Sequence, residues 1–168
     1  VDILRDPEAR IPTEKIGALL EKAAARSGCD AVGARMAEMW RAADLGPVSL
    51  AIVHQPNLGA ALSSFLRHRA KSSKAFGVSM IESGESVELR LDYFGPDETR
   101  SLQGISFGLG QLVQICRHIV GQRWVPQSVW LNGRAPADLA PYHRLFGDDL
   151  VFSSNISAVV IRRADMSM

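Results

Sequence analysis

With 168 residues, 46% hydrophobic and 22% charged, the chain has the size and balance of one globular domain able to bury a core. A formal net charge of +1 excludes the broad positive field of a nucleic-acid-coating protein. No apolar run approaches the ~20 residues of a membrane span, so no membrane partner is expected. Two cysteines, Cys29 and Cys116, make no disulfide framework and suit a reducing cytoplasm, with Cys116 read as a buried free thiol.

Residues 1–12 are polar and proline-containing and read as a lead-in. Thr13 is placed to N-cap a helix that carries Ile16, Leu19, Leu20, Ala23 and Ala24 at helical spacing and stops at Gly28. A second helix is predicted from about Asp30 to Ala43, with Val32, Met36, Met39, Trp40 and Ala43 as its apolar stripe, broken by Leu45-Gly46-Pro47. Val48 to Val53 reads as a short helical segment. Pro56-Asn57 opens a third long helix with Leu58, Ala61, Leu62, Phe65 and Leu66 on one face. Its second half, Arg67 to Lys74, is basic.

The period then changes. Val87, Leu89, Leu91 and Tyr93 alternate with Glu88, Arg90 and Asp92, the pattern of a half-buried strand. Gly77 to Ile81 is its expected partner, Ser83 to Ser86 the turn, and Gly95-Pro96 the close of the hairpin. A largely buried helix is predicted from about Glu98 to Val120, ended by Gly121. Val129 to Leu131 follows as a strand, and Asn132-Gly133 as a turn. A short helix capped by Asp138 carries Leu139, Tyr142, Leu145 and Phe146 to a stop at Gly147. Leu150 to Phe152 and Ile156 to Ile161 are strands. The class is α+β: an antiparallel β-sheet with several helices packed mainly on one face, the N-terminal helices preceding a unit of hairpin, long helix and strands.

The four histidines (His54, His68, His118 and His143) have no metal-ligand spacing, so neither a metal nor a cofactor is expected. No nucleophile motif or phosphate-binding glycine loop is present, and no catalytic residue is assigned. An enzyme and a haem or gas-sensor-like domain, the latter suggested by His118 on the long helix, are the alternatives. Ser101, Gly104, Gly108 and Gln111 recur at three- and four-residue steps, leaving one helix face nearly free of side chains. Such a face either packs closely or floors a ligand cavity that Phe107 and Gln111 border. The basic run reads as a solvated face at Lys71 and Lys74, while His68 or Arg69 turned inward would meet a ligand carboxylate. One of Trp124 and Trp130 is expected in the core, the other in a pocket wall. The candidate ligand-binding set is therefore His68, Arg69, Gly104, Phe107, Gly108, Gln111 and Trp130.

Pro136, Tyr142, Phe146-Gly147 and the strand with Ala158-Val159-Val160 resemble the end of the effector domain of AraC-type transcription regulators, in the subgroup with an "arabinose-binding" N-terminal domain. Asp44-Leu45-Gly46-Pro47, Pro56 to Leu62 and Gly121 to Pro126 extend the resemblance upstream over most of the chain. It implies a domain that senses amino acids or other small metabolites and controls a C-terminal helix-turn-helix DNA-binding domain. That domain is absent from residues 1–168, which would form the single effector-binding domain of a longer bacterial protein, with DNA a partner only through the missing part. The resemblance, rather than any motif, is also the ground for expecting a homodimer.

Overall fold

The computed structural model describes residues 12–69, 76–93 and 100–168. Among these lie six α-helices: α1 (Thr13–Ser27), α2 (Val32–Met39), α3 (Pro47–Val53), α4 (Leu58–Arg69), α5 (Leu102–Val120) and α6 (Ala140–Phe146). Five strands, β1 (Phe76–Ser83), β2 (Ser86–Tyr93), β3 (Ser128–Trp130), β4 (Leu150–Val151) and β5 (Ala158–Arg162), form one sheet in the order β1-β2-β5-β3-β4. The fold is α+β, as the alternation of helical and strand periods requires.

The sheet is built on the hairpin. Ser83 pairs with Ser86 across a two-residue turn at Gly84-Glu85, where Gly84 takes a φ of 55°. Val87, Leu89 and Leu91 fall on one face, and β5 continues it by pairing Val87 with Ile161 and Leu89 with Val159. Val129 of β3 pairs with Val159. This face is buried in the core with Leu109, Leu112, Val113, Ile115 and Cys116 of α5. Each large aliphatic side chain so buried contributes about 1.5–3 kcal/mol. The expected antiparallel sheet needs one correction: β3 and β4 are parallel. Residues 131–149, including α6, supply the crossover that a parallel pair needs.

Helix α5 is the central element. Its cap is Ser101, whose Oγ accepts a hydrogen bond from Gly104 N at 3.0 Å, so the helix starts at Leu102 rather than at the expected Glu98, which lies outside the described residues together with Gly95-Pro96. Helix α2 presses on it so closely that only small residues fit. A side chain at Gly33 would collide with the Gln103 backbone, and one at Gly110 with Ala37. The buried face of α2 is accordingly Gly33, Ala34 and Ala37. The predicted stripe is turned outward, with Met36 and Met39 exposed. Helix α2 also ends at Met39, because Trp40 is extended and Ala42–Leu45 forms a separate 3₁₀ turn.

Helix α1 shows the same kind of shift. Leu20 and Ala24 are buried while Ile16 and Leu19 are exposed, and Pro12, not Thr13, holds the cap position. In α6 the cap position falls on Leu139, and Asp138 Oδ1 instead accepts from Ala140 N at 3.0 Å. The start of α4 is as read, with Asn57 Oδ1 accepting from Ala60 N at 2.9 Å. Tyr142 is fully buried and its hydroxyl meets Ser106 Oγ at 3.0 Å.

The cavity-floor reading of the α5 glycines is also corrected. A Cβ on Gly108 would lie 2.8 Å from Leu91 Cδ2, so this glycine packs against β2. Ser101 is the cap and not part of the helix face.

The C-terminal residues close the structure. Beyond β5, Arg163–Ser167 forms a 3₁₀ turn. Leu58 N donates to Met168 O at 2.8 Å, and Met166 lies over Gly59. Trp124 Nε1 donates to Asp165 Oδ2 at 2.9 Å, and Arg163 N donates to Glu85 O at 2.8 Å. The turn is thus tied to α4, to the loop after α5 and to the hairpin.

The helix contact predicts opposite effects for two glycines of α5. Gly110→Ala forces a methyl against Ala37 and should destabilise by about 1–3 kcal/mol. Gly104→Ala meets only Ser101, at 3.5 Å, and should gain up to about 1 kcal/mol of helix propensity. Urea unfolding of both variants measures the difference in sign.

Candidate ligand cleft

The α5 N-terminus is fixed from two sides. Glu21 Oε1 of α1 accepts from Ser101 Oγ at 2.7 Å and from Gln103 N at 3.0 Å, which places a carboxylate where the helix dipole favours one. Gln103, almost wholly buried, accepts from Gly33 N at 2.9 Å and donates to Asp30 O at 2.9 Å. Its amide thereby satisfies two main-chain groups of the segment between α1 and α2.

Across the sheet end, Asn132 follows β3. Its backbone N–H donates to Ser157 Oγ at 3.1 Å, and its side-chain amide donates to Asn155 O at 3.1 Å. Ser153, at a φ of 55°, turns the chain here, and its N–H donates to Gly133 O at 2.7 Å. Leu91 N donates to Ser157 O at 2.8 Å, so β2 joins the same corner.

These four segments enclose a cleft of about 280 Å³. Leu91, Ile105 and Ile156 supply its apolar lining. Asp92, Arg100, Asn132, Asn155 and Ser157 supply polar groups. A concave site with an apolar wall and a few convergent polar groups is the usual form of a small-molecule site. The volume lies just below the ~300–1,000 Å³ of sites for drug-sized ligands, which fits a small metabolite.

None of the seven residues expected from the sequence lines this cleft. His68 is exposed on α4 and its Nδ1 meets Ser64 O of its own helix at 2.7 Å. The Arg69 side chain lies outside the described residues, as do Lys71 and Lys74. Gly104 and Gln111 are half-buried, Phe107 packs against the core, and Gly108 packs on Leu91. Trp124 is the core tryptophan. Trp130 lies on the other face of the sheet, in a shallow trough with Glu88, Ser128 and Asp149. The lining residues were not found because they occupy the ends of elements. The usable signal was the polar run Ser153-Ser154-Asn155 ahead of an apolar strand, opposite the Asn132-Gly133 turn.

Among the described residues no group of three His, Cys, Asp or Glu side chains could hold a metal ion, and no helix is long and apolar enough to cross a membrane.

The helices on one face of a mixed sheet, with a cleft at the sheet's end, define an α+β domain of a ligand-sensing kind. Residues 1–168 match the model of the family described as the arabinose-binding domain of AraC transcription regulators, N-terminal, and the chain belongs to that family. Among solved structures it is similar to the crystal structure of the transcriptional regulator CdpR from Pseudomonas aeruginosa, with a TM-score of 0.69 at 17% identity. The similarity covers 99% of this chain and 53% of that regulator, so the chain spans about half its length. No curated protein matches the chain.

Two measurements test this geometry. Gln103→Leu leaves Gly33 N–H and Asp30 C=O unpaired, at about 1–3 kcal/mol each, so denaturant unfolding should show a loss of about 2–5 kcal/mol. Burial pushes the Cys116 thiol well above its ordinary range, so it stays protonated at neutral and mildly alkaline pH. Thiol titration at pH 8 should therefore count the half-buried Cys29 in the native protein and reveal Cys116 only on unfolding.

Proposed function

We propose that this domain binds a small metabolite in the cleft at the α5 N-terminus and uses its occupancy to control a separate DNA-binding domain. The observation that carries the reading is the course of β5. Its lead-in residues Ile156 and Ser157 line the cleft, and the strand then runs directly into the 3₁₀ turn clamped on α4 and the hairpin. A ligand that prefers one setting of the β5 lead-in would bias the position of that turn. Regulation is then a coupling free energy between cleft and C-terminal turn, and it acts in both directions. Membership of a family of transcription regulators supports this reading over catalysis. The family's name makes a sugar one candidate effector.

Asn155→Trp tests the assignment, because Asn155 is exposed at the cleft and tolerates bulk without disturbing the core. A panel of sugars, amino acids and small carboxylates is screened by thermal shift, since a ligand of the folded state raises the melting temperature by mass action. The expected result is at least one stabilising compound whose effect disappears in Asn155→Trp. A compound that stabilises wild type and variant equally places the site elsewhere.

A further inference from the structure

The polar lining of the cleft contains one acid and one base, and this balance selects among ligand classes. Asp92 stands at the end of β2, and Ser79 Oγ donates to its Oδ2 at 3.1 Å. That bond fixes the carboxylate and directs Oδ1 to further donors. Arg100 stands on the other side, one residue before the α5 cap, and its guanidinium is a permanent donor. Asn155 adds a side-chain amide. The remaining wall, Leu91, Ile105 and Ile156, is aliphatic.

Resting on the reading of this cleft as the effector site, we infer that its occupant is a zwitterion with a small uncharged aliphatic group, an α-amino acid of the valine or leucine type. Asp92 receives the ammonium group, Arg100 and Asn155 the carboxylate, and the aliphatic wall the side chain. A neutral sugar would desolvate both charges without returning an opposite charge to either. A simple carboxylate would answer Arg100 and leave Asp92 unmatched, and a simple amine would do the reverse. An acidic or basic amino acid would bring a third charge against an aliphatic wall. A ligand carrying one charge of each sign answers both groups with charge-assisted hydrogen bonds, the strongest the site can form.

The experiment is calorimetric titration of the whole 168-residue chain with L-valine, L-leucine, the 2-oxo acid and the amine matching leucine, L-arginine, L-glutamate and L-arabinose. Asp92→Asn and Arg100→Gln are titrated alongside, with circular dichroism to verify their fold. Asp92 is half-buried and Arg100 exposed, so both replacements leave the core intact. The expected order has leucine or valine first, with the 2-oxo acid and the amine each about 10- to 100-fold weaker, the worth of one hydrogen bond to a charged group. Asp92→Asn should weaken leucine binding by a similar factor and leave the 2-oxo acid unchanged. Arg100→Gln should weaken leucine and leave the amine unchanged.

Equal loss of all ligands in both variants overturns the charge assignment. Tighter binding of arabinose, lost in Asn155→Trp but retained in Asp92→Asn, overturns the zwitterion inference and leaves the cleft as the effector site. Binding of leucine that Asn155→Trp does not disturb overturns the inference and the cleft assignment together.

Discussion

The approach of α2 to α5 is the constraint on which the rest depends. It exists because Gly33 and Gly110 place no side chain between the two backbones and Ala37 places only a methyl. Such closeness seals main-chain polar groups from water, and Gln103 answers this by bonding both Gly33 N and Asp30 O. Gln114 does the same at the other end, donating to Ala37 O at 3.1 Å. Two glutamines of one helix therefore serve the main chain of the segment packed beside it. The sheet covers the opposite side of α5, where Gly108 admits Leu91. A helix flanked this tightly has no room to house a ligand along its length, and the cleft forms where it begins.

Much of the architecture is legible in the sequence because single elements obey local rules. The alternation of Val87, Leu89 and Leu91 gives β2 its inward face, Gly84 its turn, and Asn57 the start of α4. The class follows from the order of periods. What periodicity misjudges is which apolar residues are inside. Met36 and Met39 outrank Ala34 and Ala37 in hydrophobicity, yet a contact between helices with almost no spacing selects for smallness. That selection depends on the partner helix, which lies some seventy residues away and leaves no mark on the local pattern. The parallel pairing of β4 is likewise invisible in a run as short as Leu150–Val151.

The site was less legible than the fold, and the cause is geometric. Residues read from one helix face, such as Gly104, Gly108 and Gln111, share a surface, but a cleft is made by segments that meet in space. Asp92, Arg100, Asn132 and Ser157 come from four places in the chain, and none stands out alone. They share a position at an element's end, where main-chain groups need polar side chains in any case. Functional and structural polarity are therefore superposed at this corner. Ser157 shows both, since its Oγ holds Asn132 N and its side chain faces the cleft.

The bond from Leu58 N to Met168 O concerns anyone who would cut or fuse this chain. The first amide groups of a helix have no partner within it, and α4 takes one of its partners from the last residue of the sequence. Fragment boundaries drawn upstream of Met166 would remove both that carbonyl and the methionine lying over Gly59. A tag joined directly at Met168 would begin at the very carbonyl that closes α4, so a short flexible spacer belongs between the two.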